Sequence, residues 1–410
     1  MADQFYFSRD TKVYLTPAGS TSVVWEIPVL DGFSFSQATN TSEITLNEMA
    51  DANNRSRRSR QMFTDSFAPA EWSFSTYMRP FGAVPAGSGT IWEPSATISG
   101  NPQHAVEEAL WAYFVGATTF TIGASNTASA WAGPDLDGDG TATVPVVNSD
   151  SSMEVNWTAS EVAALGTFDL YFEMGGATGS NQLTYKIAGC VVNSASIDFD
   201  IDGIATINWS GLGQIITEHT NASAPTVTIT EGTTTTSNFI RNRLTTLAIQ
   251  YDASDSLGAS GEQASDVTYD LTLTGGNITM ENNITFLTPE TLGVVNQPLG
   301  NVTGTRSISG NFTCYLNNDT NKSVDLFEDI IESTDVIRNS HDMTFSIGGG
   351  SAPKVEISIP NAHLEVPTHS IDDIISLDVN FHALPGSIDP GDDTAGNYEA
   401  KVTYTGNDLS

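Results

Sequence analysis

The chain has 410 residues, with fifteen Lys and Arg against forty-nine Asp and Glu, for a formal net charge of −34. That length supports two or three domains of ordinary size, and the charge repels phosphate backbones from most of the surface, which argues against sequence-reading nucleic-acid binding. Hydrophobic residues make up 39% and charged residues 16%, below the usual shares of roughly 45–50% and about 25%. Ser, Thr, Asn and Gly fill the difference, a mix that suits many short strands and turns better than helices.

From Met1 to Asp10 there is no basic start followed by an apolar run, and nowhere is an apolar run long enough to span a bilayer. Neither a signal peptide nor a membrane span is expected. Cys190 and Cys314 are the two cysteines, so stability does not come from a disulfide framework, and reduced, buried thiols in a protein made in the cytoplasm are expected. The Asn-x-Ser/Thr triplets are then coincidences of a Thr-rich composition.

The first strand opens at Gly32-Phe33-Ser34-Phe35-Ser36, and a long loop follows it. Within this loop Arg55-Ser56-Arg57-Arg58-Ser59-Arg60 gathers four of the fifteen basic residues. A basic hexamer can be a nucleic-acid patch, but no aromatic residues interleave this one, and the surrounding charge would repel phosphate. Docking of Arg55, Arg57, Arg58 and Arg60 onto an acidic surface of another copy is the better reading.

Glu71-Trp72-Ser73-Phe74-Ser75-Thr76-Tyr77-Met78 alternates as a strand. Val106, Ala109, Leu110, Tyr113 and Phe114 then recur at helical spacing and predict a short amphipathic helix that covers one sheet face. Residues 118–165, rich in Ala, Gly, Ser and Asp, read as a surface insertion. Inside it Asp135-Leu136-Asp137-Gly138-Asp139-Gly140 fits the opening of a calcium loop, but position twelve is Val146 and not the closing Glu. Asp135, Asp137 and Asp139 read either as a calcium turn that would order the insertion or as a solvated acidic turn. No cofactor is otherwise expected.

Ser196-Ile197-Asp198-Phe199-Asp200-Ile201-Asp202 alternates strictly, placing the three aspartates on one face and Ile197, Phe199 and Ile201 on the core face. The acidic face is either an ordinary solvated one or the lining of a wet channel. Ile207-Asn208-Trp209 completes the unit, and the Thr-rich stretch Thr220 to Ser237 reads as a linker. The six histidines show no metal-ligand spacing, and there is no nucleophile elbow, P-loop or dinucleotide fingerprint.

The same order then recurs. Gly276-Asn277-Ile278-Thr279-Met280 opens a strand, and Ser309-Gly310-Asn311-Phe312-Thr313-Cys314-Tyr315-Leu316 aligns Phe312 with Phe74 and Tyr315 with Tyr77. Val324, Phe327, Ile330 and Ile331 form the second helix pattern. Val379-Asn380-Phe381 matches Ile207-Asn208-Trp209, and the same spacing brings Ile187 onto Ile359 and Asp200 onto Asp372. The expected domains are 1–218, with the 118–165 insertion, and 238–410, joined by a linker at 219–237.

These segments resemble the major tail tube proteins of long-tailed bacteriophages. The resemblance is densest at Thr274 to Thr285, Gly304 to Gly310, Ile359 to Leu364 and Asp373 to Phe381. It covers most of 238–404 and, less closely, 20–80 and 183–214. It implies a mainly β fold of two tandem β-sandwich or barrel-type tube domains, each with a flanking short helix. It also implies a structural virion protein, made in the host cytoplasm, whose rings stack into the hollow tail tube.

In that family six domains close a ring, so a two-domain chain would close one with three copies. The long loops, here about 47–70 and 287–306, would reach the adjacent ring. Asp198, Asp200, Asp202 and Asp378 become candidates for the lumen, through which DNA passes without specific binding. Other implied partners are the tape-measure protein, the tail terminator and baseplate or tip proteins; no membrane is involved. A secreted or cell-surface β-sandwich adhesin, stabilised by calcium at Asp135–Asp139, is the alternative, and a carboxylate-pair glycosidase is a weaker one.

Overall fold

The computed structural model describes residues 6–20, 24–46, 53, 59–86, 91–95, 103–116, 119–122, 129–132, 146–148, 152–156, 165–175, 183–218, 238–251, 267–292, 294–332, 341–371, 373–385 and 399–406. The chain is mainly β. In order, the elements that build the framework are β1 (Lys12–Pro17), β2 (Trp25–Ile27), β3 (Ser34–Leu46), β4 (Ser59–Tyr77), α1 (Glu108–Val115), β5 (Ser152–Asn156), β6 (Phe168–Met174), β7 (Leu183–Asp200), β8 (Thr206–Gly213) and β9 (Ile215–Glu218). Beyond residues 219–237, the expected linker, which lie outside the described residues, come β10 (Thr246–Tyr251), β11 (Leu273–Glu281), β12 (Ser307–Tyr315), α2 (Ser323–Glu332), β13 (His341–Ile347), β14 (Lys354–Leu364), β15 (Thr368–Ile371), β16 (Ile375–Ala383) and β17 (Lys401–Thr405).

Eight strands make one antiparallel array in the order β3, β4, β8, β7, β11, β12, β16, β15. Alternating sequences account for it. In β7, Ile197 and Phe199 are buried while Asp198 and Asp200 are exposed, as strand geometry requires of a sheet with one wet face. A second layer packs on the apolar side: β2, β1 and β6 with the first part of β7, and β10, β13, β14, β17 and β5 beside them. Aromatic rings join the layers at Trp72–Phe168 (centroids 5.9 Å apart), Phe35–Phe172 (4.7 Å) and Phe199–Phe345 (5.4 Å). Cys190 and Cys314 are free and buried in this core, and burial raises both thiol pKa values.

Strand β7 serves both layers. Its residues 183–190 pair with β6, and Val191 to Asp198 pair with β8. The passage falls at Gly189, whose φ of +60° suits glycine, and at a register shift between Val192 and Ser194. An extra residue of this kind bends a strand, which lets one strand turn from one layer to the other. Strand β14 does the same, pairing with β13 and then, at Ala362 to Leu364, with β16.

The pairing pattern of β3, β4, β7 and β8 recurs in β11, β12, β14–β15 and β16. Register also corrects the alignment within it. Phe74 pairs with Trp209, and Phe312 pairs with Val379, so with Phe74 matched to Phe312 the counterpart of Trp209 is Val379 and not Phe381. The registers of β7 and β14–β15 run in parallel: Val191 opposite Leu212 corresponds to His363 opposite His382, and Asp198 opposite Thr206 to Ser370 opposite Ser376. A slip of two residues keeps every side chain on its face, so alternation alone does not reveal it.

Helix α1 departs from the expectation of a simple amphipathic cover, whereas α2 fits it. Seven of the eight residues of α1 are buried, Glu108, Trp111 and Ala112 among them, because the helix is enclosed on every side. Its Trp111 ring meets Trp209 edge-on at 4.8 Å. In α2, Leu326 and Ile330 are buried and Phe327 packs against the core, and of the expected apolar positions Ile331 alone is exposed. The 118–165 stretch, expected as a surface insertion, supplies β5, which pairs with β17 from the C-terminal end of the chain.

Candidate assembly surfaces

The array presents one face to solvent, and small polar residues and aspartates dominate its centre. Asp198, Asn277, Asn311 and Asn380 lie in one cross-strand row, and Thr313, Asp378 and Thr368 in the next. Asp198 accepts hydrogen bonds from the Asn277 amide (2.5 Å) and the Asn208 amide (3.3 Å), and Asp378 accepts one from the Thr313 hydroxyl (2.7 Å). The small polar residues thus hold the carboxylates in place across strands. At the β14–β15 end, hydrogen bonds from Asn380 (2.8 Å) and His382 (3.4 Å) hold the Glu365 carboxyl below the usual carboxylate range.

Strands β3, β8, β11, β12, β15 and β16 contain no Lys or Arg, and those of β4 and β7 are Arg60, in the long hairpin, and Lys186, in the second layer. Of the aspartates predicted for one strand face, Asp198 and Asp200 occupy it and Asp378 joins them three strands away. Asp202 does not. The strand ends at Asp200, so Asp202 sits in the following bend and Ile201, expected in the core, is exposed.

The long loops predicted to reach a neighbour start from hairpins that touch each other. The β3–β4 hairpin meets the loop after β11 through Phe67 N–H to Asn296 O (2.9 Å) and Asn296 N–H to Asp65 O (3.1 Å). That second loop is closed by a short ladder from Thr285–Leu287 to Gly300–Val302, and it exposes Leu292 (99%) and Leu299 (70%) along with Val294. This apolar surface was not among the expected contact residues, and its signal in the sequence is the run of Leu and Val around Gly293 and Pro298. Arg60 stands within 3.7 Å of Glu43 across the hairpin. Arg55, Arg57 and Arg58 lie outside the described residues, as do Asp135, Asp137 and Asp139. Among the described residues no group of three His, Cys, Asp or Glu could hold a metal, and no helix is long and apolar enough to cross a membrane.

A polar sheet face without Lys or Arg, strand edges unpaired among the described residues and exposed apolar loops fit a structural protein that associates with copies of itself. Residues 93–383 match the family model described as phage tail tube protein, and the chain belongs to that family. It is 28% identical over 407 residues to tail tube protein pb6 of Escherichia phage T5, an alignment that covers 97% of this chain and 76% of that protein. The chain is thus a component of a phage virion that assembles into a tail tube, and neither an enzyme nor the adhesin considered above is favoured.

Proposed function

We propose that three copies of this chain close each ring of the tube, that the β3–β4 and 285–302 loops bind the adjacent ring, and that the Asp198/Asp378 face lines the lumen through which the tape-measure protein and then DNA pass. The observation that carries this reading is the eight-strand array itself. It contains the same four-strand pairing pattern twice, which supports one chain supplying two ring positions, and its exposed face is dominated by Ser, Thr, Asn and Asp and carries no Lys or Arg beside the Asp198 and Asp378 rows. DNA carries about one negative charge per 1.7 Å of duplex axis, so such a lining would let it slide without sticking. Closure would also satisfy the backbone groups of the two array edges.

Electron microscopy of the assembled protein tests the ring. Hollow tubes of stacked rings with three chains each are expected, and a persistently monomeric protein would refute the reading. For stacking, reversing Arg57 and Arg58 to Glu should leave the fold unchanged and shorten the tubes, most at low salt where charge is least screened. Tubes of normal length from that variant would remove the arginine loop from the account. Aspartate-to-lysine changes at Asp198 and Asp378 should leave tubes intact while slowing DNA release.

A further inference from the structure

The internal joint between β7 and β11 shows how one four-strand set is joined to the next. Here Asp198 lies opposite Asn277, Ile197 opposite Ile278 and Phe199 opposite Gly276. The same two kinds of strand end the array. Ser34 of β3 corresponds to Asn277 of β11, since Ser34 pairs with Ser73 and Asn277 with Asn311 at matched positions of β4 and β12. Ser370 of β15 corresponds to Asp198 of β7, by the register that matches these two strands throughout. Among the described residues neither β3 nor β15 has a strand on its outer side.

We infer that β15 of one copy pairs antiparallel with β3 of the next, in the register of the internal joint: Ser370 opposite Ser34, His369 opposite Phe35, and Ile371 opposite Phe33. This rests on the ring reading above and names its seam. Strand direction alternates through all eight strands, so this pairing continues the alternation without a break. Exposure supports it independently. Ile197 and Phe199, covered by β11, are 1% and 4% exposed, whereas Ile371, the counterpart of Phe199, is 79% exposed. Phe33 and Phe35, at the other edge, are half-buried. Seating Ile371 against Phe33 would bury apolar surface on the core side, while Ser370 beside Ser34 adds no like charge on the wet side.

The test is cysteine cross-linking in assembled protein, with Ser34→Cys and Ser370→Cys in one chain. Oxidation is expected to give a ladder of linked chains ending at a closed ring. Ser34→Cys with Ser376→Cys, one strand further in, should not link. Tubes seen by microscopy that give no 34–370 link would overturn this seam while leaving the ring reading intact, and dimers from Ser34→Cys alone would replace it with a twofold β3–β3 pairing. Absence of both tubes and links would refute the ring reading and, with it, this seam.

Discussion

Phe199 and Gly276 face each other across the joint of β7 and β11, and a Cβ at 276 would stand 2.5 Å from the Phe199 ring and 2.5 Å from the Asn311 carbonyl oxygen. The array uses this device repeatedly: a Cβ at Gly211 would strike the Trp72 ring at 2.4 Å, and one at Gly310 the Phe381 ring at 2.7 Å. Each glycine leaves room for an aromatic ring to lie across its strand. Gly276→Ala is expected to destabilise the fold by about 1–3 kcal/mol, because neither the backbone oxygen nor the packed ring yields easily. Urea unfolding measures it. Gly300→Ala, where a Cβ would meet nothing within 4 Å, is the control and should fall within about 0.5 kcal/mol of the parent.

Asn282 ties the two pairing sets together. Its buried amide donates to Phe114 O at the end of α1 (2.9 Å) and to Val192 O in β7 (3.2 Å). Asn282→Ala removes a donor from two carbonyls in a dry setting, for an expected loss of about 1–3 kcal/mol. A single cooperative unfolding transition should move to lower urea. If it divides in two instead, Asn282 holds two units that fold independently.

Glu107 predicts a pH effect. Burial raises its pKa to about 8, against the opposing pull of the Tyr404 hydrogen bond and the Arg79 charge. Tyr404 donates to Glu107 Oε1 and accepts from Trp111 Nε1 at 2.8 Å. The folded chain therefore keeps a proton that the unfolded chain releases at 4.5. Stability from this group falls as pH rises from 4.5 through about 8. Glu107→Gln should flatten that slope when unfolding is followed across this range.

His341 acts with the opposite sign. Burial first, and His363 second, lower its pKa from 6.5 to about 4. The folded chain thus resists a proton that the unfolded chain accepts, and stability is lost as pH falls from 6.5 through about 4. Its ring packs edge-on to Tyr251 at 5.5 Å. His341→Leu should remove this part of the acid sensitivity at a cost under about 1.5 kcal/mol near neutral pH. Thermal unfolding at a series of acidic pH values checks it.

Alternation of apolar and polar residues made the strands around Phe74, Phe199, Phe312 and Phe381 legible, and with them the exposed face that carries Asp198, Asp200 and Asp378. It also made the recurrence of element order visible. Helix spacing placed α1 and α2, but the burial of Trp111 and Glu108 was not legible, because what encloses a helix comes from strands distant in sequence.

Composition and period by themselves determined that this chain is a mainly β protein with a wet acidic face, since those properties depend on residue type and on neighbours along the strand. Tertiary structure decided the rest: which strand lies beside which, the two-residue slip that matches Trp209 to Val379, the enclosure of α1, the meeting of the two loops at Asn296, and the edges at β3 and β15 that no described strand covers. Pairing partners are chosen by contacts between residues far apart in the chain. A period-2 pattern fits every even register equally well, so only the packed rings and glycines of the folded array select one.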